Sequence, residues 1–193
     1  ETERLIEADI FAAQDSRPSR PKSALPTKDH NAELRSRYLA FLQNEIGAGL
    51  LLQDQVIVVD AANGAASHLA PALFEGLGAR VIAINTEPDG RNINLNCGSL
   101  HIEGLQQKVV ASGATLGVAF DGDADRSLFI DAHGEYVDGD ATLWVLANNL
   151  RARGELNQNL VVATVMSNIG LEIALRSRDL KLLRTDVGDK YVL

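Results

Sequence analysis

The sequence predicts an α/β protein made of two consecutive α/β units with mixed, mostly parallel sheets, the second of them truncated. Two observations support this fold class. From Val56 onward, short β-branched runs alternate with stretches of helical periodicity, which favours crossovers between parallel strands. After Val137 the alternation restarts, and it is still unfinished at Leu193. No fixed repeat length accompanies the restart, so the pattern excludes a solenoid.

The first predicted elements are helical, and a chain of buried strands follows them. Residues 3–13 predict a short helix and 14–31 a proline-rich linker. Residues 32–46 predict a second helix, because apolar side chains recur there at steps of four before Gly47. The β-branched run 56–60 is typical of a strand buried on both faces. The rest of this unit is predicted as helices at 65–76 and 102–112 and strands at 80–85, 116–120, 127–131 and 136–137.

The second predicted unit begins with a helix. Asp140 is placed to cap that helix, which runs to about Arg151. A strand at 160–166, a helix at 169–178 and a strand at 181–184 are expected to follow. Because the sequence opens without methionine and closes inside what reads as the start of a helix, we expect a fragment of a longer protein.

Composition restricts the classes of protein that the chain can belong to. With 46% hydrophobic residues among 193, it can bury a sizeable core. The net charge of -8 argues against nucleic acid or an anionic membrane as partner. No apolar run reaches the roughly 18 residues that span a bilayer. The single Cys97, with four histidines that lack metal-ligand spacing, indicates a reducing compartment and hence a cytoplasmic protein.

Three carboxylates on alternate residues stand between two apolar runs, at Asp121, Asp123 and Asp125. Two charges about 4 Å apart repel by roughly 4 kcal/mol at an effective dielectric near 20, so a cation is expected among them. In an extended loop alternate side chains point the same way, and Gly122 and Ala124 keep the gaps small. Oxygen ligands on a tight backbone suit Mg²⁺. A solvated acidic turn is the alternative, since most Asp-Gly pairs serve as turns.

Arg126 extends the acidic segment and carries two interpretations. It neutralises the aspartates, as ordinary surface ion pairs do, or its planar guanidinium holds a phosphate beside the metal. A metal with an adjacent guanidinium is what phosphoryl transfer requires. An EF-hand is excluded, because that loop needs Gly sixth and Glu twelfth where this one has Arg126 and Ala132.

Six segments in order carry a resemblance to a known family. They are Val58-Val-Asp-Ala-Ala-Asn-Gly-Ala65, Glu87-Pro-Asp-Gly-Arg-Asn-Ile-Asn94 with Cys97-Gly98, Phe120-Asp-Gly-Asp-Ala-Asp-Arg126, Val137-Asp-Gly-Asp140, Met166-Ser-Asn-Ile-Gly-Leu-Glu172 and Val187-Gly-Asp-Lys-Tyr-Val192. Together they resemble the α-D-phosphohexomutase superfamily and, within it, the bacterial phosphoglucosamine mutase family. The resemblance runs from about Ala32 to the end.

The resemblance implies both an architecture and an activity. Residues 1–30 correspond to the end of a first domain and a linker, 31–135 to a metal-binding domain, and 136–193 to the start of a sugar-binding domain. Asp121, Asp123 and Asp125 are implied as Mg²⁺ ligands, with an enzyme phosphoserine completing the coordination, and Arg126 as a catalytic group holding the phosphoryl group. The implied reaction interconverts glucosamine 6-phosphate and glucosamine 1-phosphate for UDP-N-acetylglucosamine synthesis.

Some family parts are not found in these residues. No segment resembles the phosphoserine loop or the sugar loop, so the nucleophile is not in this chain, and we expect the chain alone to be inactive. Its expected partners are a phosphorylated hexosamine and the missing domains of the same enzyme. Lys190 stands where the family usually has arginine; it keeps the charge for a phosphate contact but loses the two-pronged geometry, and a solvated helix-start lysine is the alternative.

Other functions stay open at this point. Glucose or mannose phosphates could replace glucosamine phosphate, as in phosphoglucomutases and phosphomannomutases. A non-catalytic Mg²⁺-binding module would have ligands without a nucleophile. An aspartyl-phosphate phosphatase also begins with a strand and Asp-x-Asp, although it usually has Thr or Val at the place of Asp125. The remaining polar candidates read as turn, cap or core residues: Asp60, Asn63-Gly64, Asp138, Asp140, Asn168 and Cys97.

Overall fold

The computed structural model of the chain describes residues 2–14 and 31–192, so the predicted linker lies almost wholly outside the described residues. The chain divides into two compact units between Ser36 and Arg37. Helix α1 spans Thr2–Gln14 and confirms the first predicted helix. Helix α2 spans Asn31–Phe41.

The end of α2 differs from the predicted helix in one respect. The predicted helix continues to its expected end, but its last turn, Leu42–Ile46, is a π-helix. The Gly47 N–H donates to the Leu42 carbonyl at 2.7 Å, which closes the wider turn. The Gln43 side chain lies against the bare backbone of Gly76 and donates to the Ala72 carbonyl.

The first sheet has five strands in the order β2-β1-β3-β4-β5. Strand β1 pairs in parallel with β2 and with β3, whereas β3–β4 and β4–β5 are antiparallel. All five predicted strands of this unit are confirmed, within a residue at their ends: β1 Val56–Asp60, β2 Arg80–Ile84, β3 Leu116–Phe120, β4 Ser127–Asp131 and β5 Tyr136–Val137.

Helices cover this sheet on opposite faces. Helix α3 spans Ala70–Gly76 and α4 spans Glu103–Ser112. Because neighbouring strand residues face opposite ways, Val59 packs towards α3 while Val58 packs towards α4. The single helix predicted at 65–76 is broken: a 3₁₀ turn, Ala65–Ser67, precedes α3, whose first turn contains Pro71. Proline has no N–H to donate, so it suits a helix start and not a helix interior.

The second α/β pattern is also confirmed. It consists of α5 Gly139–Ala152, β6 Leu160–Thr164, α6 Ile169–Arg176, β7 Lys181–Thr185 and α7 Asp189–Val192. Strands β6 and β7 are parallel. Among the described strands three of five pairings are therefore parallel, as a mixed, mostly parallel fold requires. Nowhere in residues 2–14 and 31–192 is a helix long and apolar enough to cross a membrane.

The cap predicted for α5 is wrong by two residues. Asp138, whose backbone is extended, accepts the Ala141 N–H at 2.8 Å and is the N-cap. Asp140 lies inside the first turn, and its carboxylate accepts the Asn168 N–H at 2.7 Å. Asn168 itself caps α6, as expected, by accepting the Gly170 N–H at 2.7 Å.

Candidate metal centre

Three loops meet at one edge of the five-stranded sheet. Strands β1, β2 and β3 are parallel neighbours, so their carboxyl ends lie at the same edge, where α/β sheets commonly place ligands. The loop after β1 comprises residues 61–65, the loop after β2 residues 85–98, and the loop after β3 residues 121–126. This last loop, called the acidic loop below, carries the three aspartates.

The acidic loop is a tight turn at the tip of the β3–β4 hairpin. The Ala124 N–H donates to the Asp121 carbonyl at 3.1 Å, and Ala124 has a left-handed backbone with φ 61. The expectation of an extended loop is therefore wrong. One carboxylate oxygen from each aspartate nevertheless lies within 4.8 Å of the other two, because the turn curls their side chains towards one point. Asp121 is 2% exposed, while Asp123 and Asp125 are exposed.

Arg126 binds both oxygens of the buried aspartate. Its Nε donates to Asp121 Oδ2 at 2.8 Å, and its backbone N–H donates to Asp121 Oδ1 at 3.1 Å. The same Nε lies 3.5 Å from Asp125 Oδ1. The side chain is 68% exposed, so the guanidinium neutralises the turn while remaining accessible from solvent.

These contacts set the charge state of the loop. Burial favours a higher pKa for Asp121, but the hydrogen bonds from the Arg126 backbone and guanidinium outweigh it and hold that pKa below its ordinary value. The hydrogen bond with Asp121, followed by desolvation and the charges of Asp121 and Asp123, raises the pKa of Asp125. The hydrogen bond to Asp121 raises the pKa of Arg126. Asp121 and Arg126 are thus held in their charged forms.

The backbone of the acidic loop is held from two sides. The Ala65 N–H donates to the Gly122 carbonyl at 2.9 Å. Gly64 packs so closely that an added Cβ would lie 2.8 Å from the Gly122 Cα and closer still to its oxygen. On the other side, a Cβ on Gly122 would lie 2.7 Å from Ile93 and 2.8 Å from Asn94. Glycine at 64 and 122 is what allows the three loops to touch.

Side chains at the end of β1 hold the two flanking loops together. The Asp60 carboxylate accepts the Ala62 N–H at 2.9 Å and the Gly98 N–H at 3.0 Å. Asn63 accepts the Glu87 N–H at 3.1 Å. The sequence-based interpretation of Asn63-Gly64 as a turn is confirmed, but it missed the contact with the acidic loop. The small-residue run at 61–66 is the signal that could have indicated this close approach.

Comparison with known proteins identifies the family. The family model of phosphoglucomutase/phosphomannomutase alpha/beta/alpha domain II matches residues 36–134, and that of domain III matches residues 138–193. The chain belongs to the phosphoglucomutase/phosphomannomutase family. Its acidic loop lies in the domain II match, and α5 through α7 lie in the domain III match.

Curated relatives in this family are phosphoglucosamine mutases. The chain is 49% identical over 192 residues to that of Solibacter usitatus, covering 99% of this chain and 42% of the relative. It is 58% identical over 142 residues to that of Rhodococcus opacus, covering 74% of this chain and 32% of the relative. The chain therefore spans less than half the length of the curated relatives it matches.

Solved structures of phosphoglucomutase/phosphomannomutase type share the fold. A family protein from Burkholderia thailandensis matches with a TM-score of 0.68 and 25% identity, covering 80% of this chain and 33% of that one. The N-acetylphosphoglucosamine mutase of Aspergillus fumigatus, solved in complex with GlcNAc-6P and magnesium, matches with a TM-score of 0.57 and 24% identity. That match covers 80% of this chain and 32% of the other.

Lys190 lies in the domain III match of this phosphoglucomutase/phosphomannomutase chain. It belongs to α7, and its ammonium lies 4.8 Å from the centre of the Tyr191 ring. That cation–π contact accounts for its position without a phosphate. A phosphate contact by Lys190 stays a prediction. Cys97 is a buried core residue, as the sequence indicates.

Proposed function

We propose that the protein containing this chain is a phosphohexomutase that interconverts glucosamine 6-phosphate and glucosamine 1-phosphate, using Mg²⁺ and an enzyme phosphoserine. The proposal rests on the convergence of Asp121, Asp123 and Asp125 beside Arg126. The identity of the chain to phosphoglucosamine mutases supports the substrate. Such an enzyme would supply glucosamine 1-phosphate for UDP-N-acetylglucosamine.

The donor set of the acidic loop fits Mg²⁺. Three carboxylates supply hard oxygen ligands from one short turn, and other positions of an octahedral ion are left for water or a phosphate oxygen. A Mg²⁺ ion held there would neutralise charge on the transferring phosphoryl group. The A. fumigatus enzyme, which shares the fold, is described as a complex with magnesium.

The chain's own groups have distinct roles in this proposal. Asp121 is held ionised and fixed in position by Arg126, so one ligand is oriented before any ion arrives. Asp123 and Asp125 are exposed and complete the donor set. Arg126, which is accessible from solvent, would bind the equatorial oxygens of the phosphoryl group.

The nucleophilic serine and the sugar-reading groups are expected outside these 193 residues. No phosphoserine-loop segment occurs in the sequence, so we expect no mutase turnover from the chain alone. Catalysis would require the remaining domains of the same enzyme as partners, and Lys190 would contribute a phosphate contact.

Two alternative substrates have a specific observation in their favour. The family models name both phosphoglucomutase and phosphomannomutase, so glucose and mannose phosphates remain candidates. An aspartyl-phosphate phosphatase is disfavoured, because such enzymes usually have Thr or Val at the place of Asp125. A non-catalytic Mg²⁺-binding module is distinguished by assaying the protein with all its domains.

Calorimetric titration with Mg²⁺ tests the metal site. The double variant Asp121→Asn, Asp123→Asn is expected to lose the binding that the unaltered chain shows. The matched control is Asp54→Asn, Asp179→Asn, which removes the same charge at two exposed positions of positive φ, a conformation that asparagine tolerates. If a folded, unaltered chain binds no Mg²⁺, or if the control loses binding equally, the proposed metal site is wrong.

Activity requires a second experiment. The protein with all its domains should isomerise glucosamine 6-phosphate faster than glucose or mannose 6-phosphate at equal concentration. Introducing the substitutions Asp121→Asn and Asp123→Asn into the same protein should abolish turnover. A preference for glucose or mannose phosphate would replace the proposed substrate, while turnover by the 193-residue chain alone would contradict an external nucleophile.

A further inference from the structure

The turn after β1 has a strained backbone. Ala62 and Asn63 are consecutive residues in the left-handed region, with φ 53 and φ 49. Asparagine tolerates this region, but alanine adopts it rarely and at an energetic cost. Ala62 is also fully buried. Such a conformation persists only where the surrounding groups enforce it, and strained backbone of this kind clusters at functional sites.

The groups that enforce the conformation are identifiable. The Ala62 N–H donates to Asp60 Oδ1 at 2.9 Å, and the Ala62 carbonyl accepts the Asn94 N–H at 2.9 Å. The second oxygen of Asp60 accepts the Gly98 N–H at 3.0 Å. One carboxylate, 1% exposed, therefore ties the loop after β1 to the loop after β2. Both oxygens are needed, because each takes a different donor.

This arrangement continues into the acidic loop. Three residues beyond Ala62, the Ala65 N–H donates to the Gly122 carbonyl. On the opposite side, Asn94 and its neighbour Ile93 press against Gly122. Gly122 separates Asp121 from Asp123, so the two loops tied by Asp60 determine where these carboxylates stand.

We propose that Asp60 is a positioning residue for the metal site, which acts by holding Ala62 in its left-handed conformation so that Gly64 and Ala65 clamp the acidic loop. The inference rests on the proposed Mg²⁺ function. Asp60 is not one of the three converging carboxylates, and its two oxygens accept backbone N–H groups of the flanking loops.

Asp60→Asn tests this role in the whole chain. An amide offers one oxygen and one NH₂, so either Ala62 or Gly98 would face a donor instead of an acceptor. We expect Mg²⁺ affinity to fall about tenfold or more, the usual effect of losing a group that supports metal ligands. The control Val109→Ala creates a cavity in the core between α4 and the sheet, beside Val58 and Ala119, and removes no hydrogen bond of the loops. It should lower the midpoint of chemical unfolding while leaving Mg²⁺ affinity of the folded chain unchanged.

A second variant separates positioning from general damage. Glycine adopts φ 53 without strain, so Ala62→Gly should restore part of the affinity when combined with Asp60→Asn. Wild-type affinity in Asp60→Asn would overturn the proposal. The proposal would also be overturned if the double variant bound Mg²⁺ no more tightly than Asp60→Asn. The strained turn would then not be what connects Asp60 to the acidic loop.

Failure of the metal site itself gives a different result. If the unaltered chain binds no Mg²⁺, the proposed function fails, and hydrogen exchange of the Ala65 amide then tests the clamp without an ion. Faster Ala65 exchange in Asp60→Asn, with unchanged exchange in Val109→Ala at the same fraction folded, would support the clamp. Equal Ala65 exchange in wild type and Asp60→Asn would overturn it.

Discussion

Arg126 holds the carboxylate of Asp121 from two directions, with its backbone N–H on one oxygen and its Nε on the other. Because the two residues close the acidic turn, the guanidinium stands among the carboxylates, at the place proposed for the metal ion. The arginine therefore neutralises the carboxylates at the place proposed for the ion. Its role as a phosphate ligand stays a prediction.

Replacing Arg126 with glutamine should tighten Mg²⁺ binding. The change removes a competing positive charge and frees Asp121 Oδ2. We expect a several-fold lower dissociation constant by calorimetry, together with loss of phosphoryl transfer in the protein with all its domains. Arg153→Gln is the control, since Arg153 is exposed and pairs only with Glu155 among the described ion pairs. Unchanged or weaker Mg²⁺ binding in Arg126→Gln would show that the two cations do not compete.

Gly64→Ala should destabilise the chain although the backbone of Gly64 is in a region that alanine can adopt. The added Cβ would overlap the Gly122 carbonyl, and overpacking of this kind costs about 1–3 kcal/mol of unfolding free energy. Gly104→Ala is the matched control, because no atom lies near its added Cβ and alanine favours the helix by about 0.5–1 kcal/mol. Denaturant unfolding measures both, and an equally stable Gly64→Ala would contradict the close contact.

Cys97 should resist thiol reagents in the folded chain. Burial, followed by the negative charge of Asp60, raises the pKa of this thiol, which is 3% exposed. We expect slow reaction with an aromatic disulfide reagent at pH 8 and rapid reaction in denaturant. Since the folded pKa is raised, the thiol's contribution to stability is present below the unfolded value of about 8.5 and is lost at higher pH. Cys97→Ala should therefore reduce the alkaline loss of stability; an unchanged pH profile would refute this.

Asp138 and Asp140 should have separable effects. Asp138→Ala removes the N-cap of α5, which costs about 0.5–2 kcal/mol, and should speed amide exchange at Ala141. Asp140→Ala should instead speed exchange at Asn168, whose N–H it accepts. If Asp140→Ala also speeded amide exchange at Ala141, Asp140 would be the cap, as the sequence predicts.

The strands were predictable because their pattern is local and unambiguous. A β-branched run such as 56–60 has few alternatives, and every predicted strand is present. The errors occur where the geometry of a single residue decides how a helix begins, ends or breaks. Pro71 divides a predicted helix, the turn at 42–46 widens to a π-helix, and Asp138 caps α5 in place of Asp140. Hydrophobic periodicity contains no information on those choices.

The residues of the candidate site were predictable from the sequence, but the contacts that hold them in place were not. Asp121, Asp123, Asp125 and Arg126 are adjacent in sequence, so a pattern of charges identifies them. The contacts of Asp60 and Gly64 with distant loops depend on strand order, which the sequence does not display. The predicted extended conformation was wrong because Ala124 turns left-handed, a choice that its side chain does not favour.

The β3–β4–β5 meander can form from neighbouring segments, whereas the parallel pairing of β1 with β3 joins parts of the chain far apart in sequence. Non-local pairing is slow because loop closure comes first. We therefore expect the β3–β4 hairpin to bring the aspartates together early in folding. The loops that hold them in place would form only later, when β1 pairs with β3. Pulse-labelled hydrogen exchange measures this order during refolding. Protection of the Ala65 amide before, or together with, the amides of β4 would refute it. The nascent hairpin would hold three aspartates together before the neighbouring loops support them, so we expect millimolar Mg²⁺ to speed refolding.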